Sequence, residues 1–237
     1  MKKNIFLKIG GIIMALGMML SFGSCLEINK PTANRVCKYL NDTYNREFEA
    51  THIGGRLNSD DATLYISPKD DPSLVFTAFI DREGNITDNY VTALKCREVE
   101  NALNRCIEQR SLTGISEVYI LENVTENNPD ISIGDFMKKH GIESFHVRFI
   151  FVPSDGYGQK IVDSLTDTAD LLSINIGSLV FAMSQENYEA CKTEIEDYPN
   201  VTLAMIESHE PIGAYNVIVS DGVISASAVE IEENIGA

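Results

Sequence analysis

Cysteine, histidine and clustered acids are the residues here whose chemistry depends most on spacing. Beyond Cys25, four cysteines remain: Cys37, Cys96, Cys106 and Cys191. No CxxC pair occurs, so neither a thioredoxin-type redox couple nor a zinc ribbon is supported. Cys96 and Cys106 fall on one predicted helix, about 15 Å apart along its axis, too far to bridge each other. A disulfide from Cys37 to Cys96 or Cys106 would staple two helices. Buried free thiols acting as small hydrophobes fit the same positions, and the spacing demands no bridge. The histidines, His52, His140, His146 and His209, form no close pair. His209-Glu210 does not extend to HExxH, because Gly213 stands where the second histidine belongs. These patterns assign no metal ligand.

Three further patterns bear on chemistry. Asp155-Gly156-Tyr157-Gly158 between a strand and a helix could cradle phosphate on helix N-terminal amides. It matches neither the GxGxxG nor the P-loop spacing, and Asp155 repels anions, so a plain turn accounts for it. Asp81, Glu83, Asn85 and Asp88 surround Gly84, but the EF-hand register fails, since Ile86 and Thr92 occupy the positions of the required glycine and glutamate. A hairpin turn explains the same residues. No serine lies in a GxSxG setting, and the carboxylates are too numerous for spacing to select an acid–base pair. No catalytic residue, cofactor-binding residue or cofactor is therefore assigned.

The elements that would position any site follow from periodicity. A first helix is expected from Thr32 to about Arg46, with Val36, Leu40 and Tyr44 on one face. Strands are expected at 48–53, 62–67, 74–80 and 86–92, the last two joined by the Asp81–Asn85 turn. A helix through Val99, Ala102, Leu103, Cys106 and Ile107 follows. After a boundary at Ser111–Gly114, strands are expected at 117–121, 145–152, 179–183, 201–206, 214–219 and 223–229. Helices are expected at 132–140, around Ile161–Leu172, and after Ser184. Asp221-Gly222 marks a closing hairpin. The fold class is α+β: residues 32–110 form a helix–strand meander–helix unit, and residues 111–237 an α/β unit with a mixed sheet closed by a C-terminal hairpin. In element order alone, the first half loosely resembles cystatin-like or PepSY-like modules.

The chain has 237 residues, with 19 basic and 35 acidic side chains. A balance this negative argues against nucleic acid as a partner and against a polybasic membrane patch. Three lysines stand at the start: Lys2, Lys3 and Lys8 precede 14 uncharged residues, Ile9 to Phe22. A helix of that length spans about 21 Å, short of a bilayer core of about 30 Å. A secretory h-region fits better than a permanent span. An N-terminal anchor would need Ile5 and Phe6 to extend the run around Lys8.

Gly23, Ser24 and Cys25 close this segment, and it resembles the lipobox of bacterial lipoproteins. Phe22 stands where Leu, Val or Ile is commoner in that pattern. The resemblance implies a signal peptide over 1–24, lipidation of Cys25, a short tether over 25–31, and a place on the extracytoplasmic face of the cell membrane. Ordinary signal cleavage would leave Cys25 a plain thiol. Without catalytic motifs, the expectation is a non-catalytic module binding a protein or peptide partner. The alternative is a small solute-binding lipoprotein of a transport system. The helix-and-meander first half does not suit a symmetric two-lobed clamp.

Overall fold

The structure is a computed structural model that describes residues 30–54, 61–197 and 202–235. The signal segment 1–24, Cys25 and the start of the tether lie outside the described residues. Among the described residues the chain forms seven helices and nine strands in two sheets, an α+β architecture as the sequence implied. It divides into two compact units at Tyr90/Val91.

In the first unit, helix α1 (Lys30–Tyr44) begins two residues before the start expected at Thr32, so Lys30 and Pro31 belong to the helix and not to the tether. Ala33, Val36 and Leu40 are buried at helical spacing, and the exposed Asn45 leaves the helix at φ 49°. Strands β1 (Phe48–Gly54), β2 (Ala62–Pro68), β3 (Phe76–Ile80) and β4 (Ile86–Asp88) form an antiparallel meander in chain order. A bulge between Ala50 and His52 shifts the register of β1. The core joins α1 to the sheet through an aromatic cluster. Phe48 meets Phe76 and Tyr90 at centroid distances of 5.6 and 5.0 Å, and Tyr44 meets Tyr90 at 4.7 Å. Its polar edge is hydrogen-bonded. The Tyr44 hydroxyl donates to Asp88 at 2.8 Å, and Asp88 also accepts the Tyr90 N–H at 3.0 Å. Burial raises the Asp88 carboxyl above the ordinary carboxylate value and drives the Tyr44 phenol well above the ordinary tyrosine value.

The second unit opens at Val91, within helix α2 (Tyr90–Gln109), which the sequence boundary at Ser111–Gly114 assigns to the first half. The reason lies in the connection. Strand β5 (Gly114–Tyr119) folds back beside the helix at once, and the Ser116 hydroxyl donates to the Asn104 side chain at 2.8 Å. Helix α3 (Ile133–His140), expected at 132–140, is capped at both ends. Ser132 accepts the Asp135 N–H, and Gly141 stops the helix at φ 67°. Strand β6 (Phe145–Phe151), helix α4 (Tyr157–Leu172) and strand β7 (Ile176–Ala182) make a parallel crossover. Helix α5 (Gln185–Asp197) follows.

Three expected strands are corrected. The strand expected at 86–92 stops at Asp88, and Tyr90 already begins α2. In place of a strand at 201–206 stands helix α6 (Leu203–Ser208), with Thr202 accepting the Met205 N–H. The final strand 223–229 shrinks to β9 (Val223–Ile224), which pairs with β8 (Gly213–Ser220); helix α7 (Ala228–Ile235) then takes the C-terminus. The sheet order is β5-β6-β7-β8-β9, antiparallel except at β6–β7. One face carries Phe145, Val147, Phe149, Phe151, Ile176, Val180 and Val217, all buried, with α4 and α7 on its side.

Candidate functional site

The groups that the sequence singles out prove to be dispersed and structurally engaged. All four cysteines among the described residues are free. Cys191 is fully buried beside Met183 and Tyr188, and burial pushes its thiol up to about 11. Burial, with Glu100 and Glu117 adding to it, pushes Cys96 to about 12. Thiols held protonated in this way are poor nucleophiles. The histidines go to four separate places. His52 packs on Tyr65, His140 and Lys139 meet the buried Glu126, His146 stacks on Tyr119, and His209 bonds Glu194. Among the described residues no group of three or more His, Cys, Asp or Glu is placed to hold a metal ion.

The turn at residues 81–85 is a closed hairpin. Asp81 accepts both the backbone N–H and the side-chain amide of Asn85 at 2.7 Å, which holds its carboxyl below the ordinary value. Gly84 takes φ +86°, and a Cβ there would lie 2.3 Å from Arg35 Nη2, which donates to the Gly84 carbonyl at 2.9 Å. Between this turn and α1 runs an open groove of about 550 Å³, lined by Arg35, Lys38, Tyr39, Asp42, Asn85 and Ile86 along with Gly84. The glycine turn at Asp155–Gly158 is filled from within: Glu232 of α7 accepts the Gly158 N–H at 3.0 Å. A side-chain carboxylate already occupies the place a phosphate oxygen would take.

The arrangement with most binding character lies on the other face of the five-stranded sheet. The strand registers place three rows of side chains across it. Ile115, Ile150, Phe181 and Ala214 form the first, and α5 and α6 pack there, contributing Tyr188, Cys191 and Ile206 to a shared core. The second row is Glu117, Arg148, Leu179 and Asn216; the third is Tyr119, His146, Gly177 and Ile218. These two rows are half-buried to exposed, with Ile218 at 44% and neighbouring Val223 at 69%. Glu117, Arg148, Tyr119 and His146 are locked together. Arg148 donates to Glu117 at 2.6 Å and lies 4.2 Å above the Tyr119 ring, which stacks on His146 at 5.6 Å and 27°. Gly177 leaves a dip beside the imidazole, since a Cβ there would come within 3.3 Å of His146 Nδ1.

The alternation in β6 puts His146 and Arg148 on a common polar face. Glu117, Tyr119, Gly177 and Ile218 escape a reading of the sequence, because only the pairing register brings them alongside.

No protein-family model matches the chain, and no curated protein does. A solved structure with the same fold is the crystal structure of a DUF5037 family protein from Ruminococcus gnavus. Its TM-score is 0.63 at 12% identity, over 87% of this chain and 99% of that one. Neither unit makes up that share of the chain alone, so the likeness takes in parts of both. At this identity the likeness is one of fold.

Proposed function

We propose that this is a lipid-anchored extracytoplasmic protein acting as a non-catalytic module that holds a protein or peptide partner. The observation that carries the binding role is the pair of half-buried to exposed cross-sheet rows on β5–β8. Arg148 is already paired with Glu117, so the surface offers stacked planar groups and the aliphatic side chains of Ile218 and Val223 more than a free charge. Tyr and Arg held rigid in this way are the residue types that dominate protein interfaces. Such a surface suits an apolar or aromatic side chain of a partner better than a small charged solute. The anchoring role is supported by Gly23-Ser24-Cys25 after an apolar run too short to span a bilayer.

Each half has its own test. Cys25→Ser is expected to abolish fatty-acid labelling and membrane retention while leaving the melting temperature unchanged; persistent labelling would remove the anchor from the reading. For the binding face, a photo-crosslinking residue placed at Val223 in cells should yield a discrete adduct. The same residue at the equally exposed Leu171 on α4 should not. The adduct should disappear in a Tyr119→Ala/Arg148→Ala variant that still folds. Adducts indifferent to that pair would sink the assignment of the face.

A further inference from the structure

We propose that the groove between α1 and the β3–β4 turn is the surface laid against the bilayer, with Arg35 and Lys38 resting on anionic lipid headgroups. The inference builds on lipidation of Cys25 and adds an orientation to it. Helix α1 starts at Lys30. From Cys25 to Lys30 even a fully extended chain reaches about 18 Å, so the anchor keeps α1 near the membrane whatever the tether's conformation. Around α1, at about 100° per residue, Arg35, Lys38, Tyr39 and Asp42 share one flank, and that flank lines the groove. The buried stripe of Ala33, Val36 and Leu40 points elsewhere.

Charge asymmetry favours the segment beside the anchor, of which this flank is part. Residues 25–46 hold four cations (Lys30, Arg35, Lys38, Arg46) and two acids (Glu27, Asp42). Residues 47–237 hold 12 cations and 33 acids. An anionic bilayer repels the acidic remainder and attracts the segment beside the anchor. Tyr39, 36% exposed next to the two cations, suits the headgroup layer, where amphipathic rings collect. Among the described residues Lys38 is tied only to Asp42, at the surface, and Arg35 keeps donors beyond the one given to Gly84. Two cations do not make a patch that binds a membrane unaided. They orient a chain that the lipid already holds.

The test uses amine reactivity on vesicles. The chain from Cys25 onward contains every described residue. In a Cys37→Ser background it can be coupled through Cys25 to a maleimide-headgroup lipid, because the other thiols are buried. This tether works whether or not Cys25 is lipidated in the cell, so failure of the orientation and failure of the lipoprotein reading remain separate results. Lys69 is the internal control. Its charge acts on the Cys37 thiol, about 160° around α1 from Arg35. On vesicles with roughly one quarter anionic lipid, acetylation of Lys38 should slow at least about threefold relative to Lys69. The difference should vanish in about 1 M salt, where the screening length is about 3 Å. It should also shrink in Asn34→Glu, which adds a charge at an exposed position one turn before Lys38. Equal slowing of Lys38 and Lys69, or slowing of neither, would overturn the proposal.

Discussion

Replacing Gly158 with alanine is expected to lower the melting temperature of the second unit by roughly 4–8 °C, equivalent to about 2 kcal/mol. Helix propensity alone predicts the opposite, since alanine is favoured over glycine by about 1 kcal/mol inside a helix. Packing decides the sign. Gly158 is the second residue of α4, and a Cβ there would lie 2.3 Å from the carbonyl oxygen of Ala228 and 2.8 Å from Glu232 Cγ. The first of these is backbone, so no rotamer change relieves it. Helix α7 would have to move outward, taking with it Ile231 and Ile235, which are 0% and 2% exposed. The Gly158 N–H would also lose the Glu232 carboxylate. Gly134 is the matched control. It is likewise the second residue of its helix, α3, and a Cβ there would meet nothing within 4 Å, so Gly134→Ala should hold or raise the melting temperature. If both substitutions raise it, α7 is not seated on α4 as described.

That helix shows what the sequence makes legible and what it hides. Ser227-Ala-Val-Glu230 is a capping box. The Glu230 carboxylate accepts the Ser227 N–H at 2.7 Å, and the Ser227 hydroxyl accepts the Glu230 N–H at 3.2 Å. The signal is present in the sequence, yet the alternation of Val223 to Val229 outweighs it and reads as a strand. Residues 201–206 mislead for a related reason: a short apolar run has no period of its own, and Thr202 serves equally as strand residue or cap. Where periodicity and local chemistry agree, the reading holds. Phe145, Val147, Phe149 and Phe151 alternate and are all buried, and Ser132 and Gly141 bound a helix at both ends. The binding face is only partly visible. His146 and Arg148 share a side by the strand period alone, but Tyr119, Gly177 and Ile218 join them through pairings that no single segment encodes.

Glu126 is not legible at all, and it carries the second large effect. It lies in the segment between β5 and α3 with its side chain only 3% exposed. Its carboxylate accepts the N–H groups of Asn127 and Asn128, both at 3.0 Å, and takes Lys139 at 2.7 Å and His140 at 2.9 Å. The carboxylate thus closes its own turn and ties the segment to α3. Glu126→Ala should cost about 3 kcal/mol, because it strands buried donors as well as removing a paired charge. Lys139 is 58% exposed and regains water, whereas His140, at 16%, does not. Glu126→Gln keeps an acceptor for the backbone donors and should lose about half as much. The pH dependence has a definite sign. The Lys139 and His140 hydrogen bonds, in that order, hold the Glu126 carboxyl down at about 2, against an ordinary value of 4.5. Below 4.5 the unfolded chain therefore binds a proton that the folded chain refuses. The stabilisation is complete above about pH 4.5 and is lost as the pH falls toward 2. Denaturant melts of the protein and of Glu126→Gln should show a gap in stability that narrows steadily from pH 4.5 to 2.5. A gap that stayed constant to pH 2.5 would mean that the Glu126 charge contributes nothing, leaving only its shape to hold the turn.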